Sequence, residues 1–363
     1  MSSPEFPFPP GGIGLIEGFF GKSWSWHKRL EYARWLPKAG YHFYIYAPKD
    51  DPYLRRQWHL PWPEEMVREL QQLRHTCKEQ GIAFGVGLTP LGAHHDYDHK
   101  RAALMAKVTQ IDEALAPDIL AVLFDDMPSD TPKLAQLQLT IAHDIATHTR
   151  AGKLIFCPSF YSTDPILEKV FGAMPPDYWK TLGSGLDPAF SLFWTGPKVC
   201  SSHYPIDHLE WVADTLKRRP FLWDNYPVND GKRACNFLYL KPFENRPGKL
   251  ADYLSGHAVN PMKQAALSRL PLATLPVSYR SGDHYYPYEI WQQQAQQLLG
   301  NELAGLIQQD LPLLSELGLE GMDEAQKAEL ASRYRPYQST AEGAELLSWL
   351  SGEDQFDPAC LTD

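Results

Sequence analysis

Between Ile13 and about Ala273 the chain repeats one pattern. A short, nearly continuous apolar run ends in polar residues or glycine, and an amphipathic stretch follows. The apolar runs predict strands over 13–20 (IGLIEGFF), 41–48 (YHFYIYAP), 82–90 (IAFGVGLTP) and 119–126 (ILAVLFDD). Four more are predicted over 153–161 (KLIFCPSFY), 190–196 (FSLFWTG), 219–225 (RPFLWDN) and 256–262 (GHAVNPM). Strands covered on both faces need such unbroken apolar runs, whereas half-exposed strands alternate. In the intervening stretches apolar residues recur three and four apart, as Met66, Leu70 and Leu73 do in a helix predicted over 63–80. Another helix is predicted over 133–149, with Pro132 in its first turn.

Strand–helix alternation of this kind builds either a closed α/β barrel or an open doubly wound sheet. The polar strand ends favour the barrel. Glu17, Gly18, Lys49, Asp50, Thr89, Asp125, Asp126, Tyr161, Trp194, Thr195, Asp224, Asn225 and Asn260 all fall at the C-terminal ends of the predicted strands. In a (β/α)8 TIM barrel those ends converge on one rim, where active sites sit. No GxGxxG or P-loop pattern follows the first strand, so no nucleotide cofactor is expected. The predicted organisation is a flexible N-terminus (1–12), a catalytic barrel (13–273) and a small C-terminal helical domain (274–363). In the last of these a Pro- and Tyr-rich link, LPVSYRSGDHYYPY, precedes helices near 285–299, 301–317, 323–334 and 339–350, and the final dozen residues fray.

Composition narrows the partners. The chain has 363 residues, 44% hydrophobic and 21% charged, and a formal net charge of -10, which disfavours a nucleic-acid backbone as partner. No apolar stretch reaches the roughly 18 residues of a membrane span. The N-terminal MSSPEFPFPPGG has no basic or apolar leader character, and the five cysteines are scattered and odd in number. Both features predict a cytoplasmic protein with reduced thiols. The 11 Trp and 18 Tyr supply flat rings suited to sugar faces as well as to a large core.

The segment FDDMPSD (124–130) ends the fourth predicted strand with two adjacent acids. Neighbouring strand residues point to opposite faces unless the strand end twists. Held together, two carboxyl groups repel, so one retains its proton near neutral pH, which yields the acid and the anion that glycoside cleavage uses. The same pair also suits a solvated turn or a helix cap. Lys49 in YAPKDDPYLRRQW is either a donor to sugar hydroxyls or a surface partner of Asp50 or Asp51. FLWDNYPVND (221–230) offers Trp223, Asp224, Asn225, Asn229 and Asp230, as sugar contacts or as an Asn/Asp-rich turn. AHHDYDHK (93–100) holds His94, His95, Asp96, Asp98 and His99 but lacks HExxH spacing, so no metal site is predicted. There is no GxSxG elbow.

Seven segments together resemble glycoside hydrolase family 84, the O-GlcNAcase and bacterial β-N-acetylglucosaminidase family. They are IEGFFGKSW (16–24), YAPKDDPY (46–53), LFDD (123–126), FCPSFY (156–161), FWTGPKV (193–199), WDNYPVND (223–230) and HAVNPM (257–262), in the family's order. The resemblance implies a retaining exo-β-N-acetylglucosaminidase without a cofactor, acting on a GlcNAc-bearing glycoside or glycoprotein. Asp125 would orient the substrate acetamide, whose carbonyl oxygen would attack the anomeric carbon to form an oxazoline. Asp126 would serve as acid and then base, with Tyr161 in support. Such substrate-assisted enzymes are exceptions to the two-carboxylate scheme. Cys157, Thr195 and Trp223 would line the N-acetyl pocket. The Gly18 backbone, Lys49, Asn225, Asp230 and Asn260 would hold hydroxyls, and Val199 joins this substrate-binding set. The chain departs from the family at Phe20, where a tyrosine is usual. Two alternatives stay open: a chitinase-like or hyaluronan-directed hydrolase, disfavoured because no DxxDxDxE pattern occurs, and a non-catalytic GlcNAc-binding barrel.

Overall fold

The computed structural model describes residues 7–353 and 356–362. Eight parallel strands close on themselves in sequence order: β1 (Ile13–Glu17), β2 (Phe43–Tyr46), β3 (Ala83–Leu88), β4 (Ile119–Leu123), β5 (Lys153–Cys157), β6 (Phe190–Trp194), β7 (Phe221–Asp224) and β8 (Gly256–Val259). Closure runs through β1 against β8, with Gly14 opposite Ala258. The (β/α)8 barrel expected from the apolar runs is therefore present, and each strand is shorter than its run. The polar tails of the runs have left the ladder and become the mouth. Inside the barrel, large rings are matched by glycines. Phe221 packs edge-on against Phe43 and Phe193, with centroids 5.8 and 5.3 Å away. A Cβ on Gly14 would meet the Phe43 ring at 2.2 Å, and one on Gly256 the Phe221 ring at 2.2 Å. Large and small side chains thus fill the bore to interior density.

Helices cover the outside: α1 (Trp26–Ala39), α2 (Glu64–Glu79), α3 (Tyr97–Leu115), α4 (Leu134–His148), α5 (Ile166–Phe171), α6 (Tyr178–Gly185), α7 (Ile206–Leu216) and α8 (Ala265–Leu272). Ser25 caps α1 by accepting from the Lys28 N–H, and Gly40 ends it in the left-handed region. α4 starts at Leu134, so Pro132 lies in the turn ahead of the helix rather than inside its first turn. The link expected after 274 begins with a helix, α9 (Leu275–Ser281), because Leu275 and Tyr279, one turn apart, bury in the barrel core.

The remaining helices are α10 (Pro287–Leu299), α11 (Asn301–Pro312), α12 (Gly318–Gly321), α13 (Glu324–Tyr334) and α14 (Ala341–Leu350). After Pro312 the chain makes one wide turn over Leu313–Leu317 before α12. Trp291, Ile307, Leu314, Tyr334, Leu346 and Trp349 form a second core. It also contains Leu238 and Leu240 from the loop after β7 and Leu267 and Leu270 from α8. The helical region therefore grips the β7–β8 connection. The Trp291 indole donates to the Leu240 carbonyl at 2.6 Å, and the Leu238 N–H to the Leu314 carbonyl at 2.9 Å. Of the N-terminal residues expected to be flexible, 1–6 lie outside the described residues, while Phe8 packs against His42 at 4.9 Å. Among the described residues no helix is long and apolar enough to cross a membrane.

Candidate active site

A pocket with about 600 Å³ of empty space, open solvent included, lies at the C-terminal mouth of the barrel. Gly18, Lys49, Asp125, Asp126, Cys157, Tyr161, Thr195, Val199, Trp223, Asn225, Asp230 and Asn260 all line it. These are the residues singled out from the sequence, drawn from seven of the eight strand ends and their loops.

The two acids reach one cavity because β4 stops at Leu123 and Asp126 adopts φ 56°. Aspartate tolerates this left-handed conformation better than bulkier residues. It cancels the strand alternation that would otherwise send the neighbours to opposite faces. Asp125 is buried, and its Oδ2 accepts from the Lys49 ammonium. Its Oδ1 is also buried and meets no hydrogen-bond donor among the described residues. An unsatisfied buried carboxylate oxygen is costly, so this atom marks a place for a donor. Asp126 accepts from the Tyr161 hydroxyl at 2.9 Å. Burial, then the charge of Asp125, push the Asp126 carboxyl above its ordinary range, against the pull of Lys49 and Tyr161.

The opposite wall is one connected network. The Gly18 N–H donates to Asn260 Oδ1 at 3.2 Å, and Asn260 Nδ2 donates to Asn225 Oδ1 at 3.1 Å. The Trp223 indole donates to the same Asn225 oxygen at 3.0 Å, and Asn225 Nδ2 to the Val199 carbonyl at 3.0 Å. Residue 18 must be glycine here, since a Cβ would meet the Trp223 ring at 2.5 Å. Asp230 accepts from the Phe20 N–H at 2.7 Å, and burial is the main cause that pushes its carboxyl up to about 6. The Thr195 hydroxyl donates back to the Lys198 carbonyl at 2.9 Å. Cys157 is buried at the end of β5, and burial pushes its thiol well up.

Other strand-end groups do not join the cavity. Glu17, expected at the rim, is fully buried and paired with Arg29 of α1, which donates at 2.7 and 2.9 Å, and it also accepts from the Tyr44 hydroxyl. Asp224 accepts from Arg246 at 2.9 Å on both oxygens and contacts His257 at 3.2 Å. Burial works against its ionisation, but Arg246 and His257 win and hold it well below the usual carboxylate range. Asn229 donates to the Phe237 carbonyl and to Gln264. The histidine segment brings His94 and His95 to Asp130, at 3.3 and 2.5 Å. The candidate ligand atoms of His94, His95 and Asp130 lie within 4.8 Å of one another, His94 Nδ1 is buried without a hydrogen-bond partner among the described residues, and none of the three residues lines the cavity.

Sequence reasoning missed Val228, Gly231, Ala234, Cys360 and Thr362 as lining residues, and it noted Phe20 only as a departure. Gly231 and Ala234 were legible as neighbours of Asp230. Cys360 and Thr362 carried no signal, because they come from the segment expected to fray.

A closed parallel barrel with adjoining acids in a mouth cavity is the architecture of a barrel glycosidase. The sequence profile of the β-N-acetylglucosaminidase family matches residues 13–309. The chain belongs to that family. Protein O-GlcNAcases of Rattus norvegicus and Mus musculus are each 30% identical over 278 residues, or 74% of this chain. The match covers only 30% of the length of those relatives. A variant of the Thermobaculum terrenum O-GlcNAc hydrolase superposes with a TM-score of 0.75 at 28% identity. That match covers 96% of this chain and 76% of the other.

Proposed function

We propose that this protein is a retaining exo-β-N-acetylglucosaminidase that uses its substrate's own 2-acetamido group as nucleophile. Asp125 accepts the acetamide N–H through its unpartnered Oδ1 while Lys49 holds the other oxygen. The acetamide carbonyl oxygen attacks the anomeric carbon, the C1–O bond breaks, and Asp126 gives its proton to the departing oxygen. As the ring closes Asp125 takes the N–H proton, which leaves a neutral oxazoline; water, deprotonated by the now ionised Asp126, then attacks the anomeric carbon, the ring C1–O bond breaks, and Asp125 returns the proton to nitrogen. Two displacements at one carbon return the original configuration. Trp223, Cys157 and Thr195 surround the acetamide, and Asp230, Asn225, Asn260 and the Gly18 backbone take the hydroxyls. The observation that carries this reading is the asymmetry of the pair. One carboxyl group is salt-bridged with a single open acceptor. The other is held toward its protonated form and ordered by Tyr161.

The test is a series of aryl 2-acylamino glycosides with zero to three fluorines on the acyl methyl. Fluorine weakens the carbonyl oxygen as a nucleophile, so kcat/KM should fall steeply along the series and the plain β-glucoside should react very poorly. A flat series, or a glucoside hydrolysed at a similar rate, would rule out participation by the acetamide.

A further inference from the structure

We propose that residues 356–362 form the outer wall of this pocket and select the aglycone, an inference that rests on the function proposed above. The segment comes from the helical region and lies over the barrel mouth. A Cβ on Gly21, just past β1, would approach Asp357 Cβ at 4.0 Å. Asp357 folds the segment at this point: the Cys360 N–H donates to its carbonyl and the Ala359 N–H to its carboxylate, both at 2.9 Å. Beyond that turn the side chains alternate as in an extended strand. Cys360 and Thr362 line the cavity that holds Asp125 and Asp126, whereas Leu361 between them is 54% exposed.

The helix α14 that precedes the segment in sequence is anchored to the barrel. Glu345 of α14 pairs with Lys28 and accepts from the Leu267 N–H at 3.1 Å, and the Trp349 indole donates to the Cys235 carbonyl at 3.0 Å. The strand ends supply the floor of the pocket, where the proposed function puts the terminal sugar. Whatever that sugar is attached to must leave through the mouth, past Cys360 and Thr362. Neither residue presents a flat face for a second pyranose or a charge for a phosphate. Both are small, which suits a slender aglycone such as a serine or threonine side chain in an extended peptide.

Cys360→Trp and Thr362→Trp narrow the mouth, and Leu361→Trp is the matched control facing solvent. Each full-length variant is assayed on a peptide carrying GlcNAc on serine and for inhibition by a GlcNAc-oxazoline mimic, which fills the sugar site and has no aglycone. The inward variants should lose roughly tenfold or more in kcat/KM on the peptide, mainly through KM, and change little in the Ki of the mimic. Cys360→Gly, which only removes atoms, should shift the peptide value the other way and keeps the test decisive if the tryptophans unfold the chain. Inward variants that match Leu361→Trp in both measurements overturn the proposal. Equal losses in both place the segment over the sugar itself and overturn the aglycone assignment. An unsubstituted enzyme inert toward 4-nitrophenyl β-GlcNAc refutes the function, whereas an active one with indifferent variants refutes the wall alone.

Discussion

Replacing Asp126 by asparagine separates proton donation from everything else this residue does. Asparagine keeps the shape, tolerates the φ of 56°, and still offers an oxygen to Tyr161, now 2.9 Å from the carboxylate. The fold and the neighbouring Lys49–Asp125 pair should therefore persist. The lost element is the proton that burial and the Asp125 charge favour on Asp126. General acid catalysis is typically worth about 10²–10⁴-fold, which corresponds to roughly 3–5 kcal/mol of barrier. That loss should appear in full with an alkyl glycoside, whose alkoxide cannot leave unprotonated. It should be small in the bond-breaking step with a nitrophenyl glycoside, whose phenolate leaves unaided. The pH profile gives a second reading. A carboxyl raised by burial must be protonated to act, so kcat/KM on the alkyl glycoside should fall as pH rises through the raised value, and Asp126→Asn should lack that basic limb. The assay is steady-state kinetics on both substrates across pH. Equal losses on alkyl and nitrophenyl glycosides, or an unchanged basic limb, would refute Asp126 as the leaving-group acid.

Asp230→Asn should stabilise the fold while weakening substrate binding. With a folded-state value of about 6 against an ordinary 3.8, Asp230 makes the protein lose stability as pH rises between those values. The gap corresponds to roughly 3 kcal/mol. Asparagine is spared that loss, so the variant's thermal midpoint should exceed the parent's at pH 7.5 and match it at pH 4, while KM rises; a lower midpoint at pH 7.5 contradicts the argument. Arg246→Met should cost about 3–5 kcal/mol in urea unfolding, because it strands the fully buried Asp224. The double variant Asp224→Asn with Arg246→Met should recover part of it, and a double variant as unstable as the two losses summed would show that the pair is not the source.

Periodicity revealed the barrel because burial on both faces leaves an unbroken apolar run, whatever the loops do. The same logic placed Gly18, Lys49, Asp125, Asp126, Tyr161, Thr195, Asn225 and Asn260 at one mouth, since parallel strands in a closed barrel have all their C-terminal ends on one side. Partners far apart in sequence were not legible. Nothing in YAPKDDPY distinguishes a Lys49 paired with adjacent Asp50 or Asp51 from one paired with Asp125, 76 residues on. Glu17 shows the opposite failure. A carboxylate at a strand end looks like rim chemistry, but Arg29 lies on the helix that follows and draws it outward into the barrel–helix layer. A strand residue's face depends on its register, and a single step inverts it. The Asp125–Asp126 pair escapes this parity only through the left-handed turn at Asp126, a local conformation that sequence permits but does not announce. Two adjoining acids can therefore do different work: one remains in the strand-end layer beside Lys49, and the other is turned toward Tyr161, so that a single backbone angle separates their environments and with them their affinities for a proton.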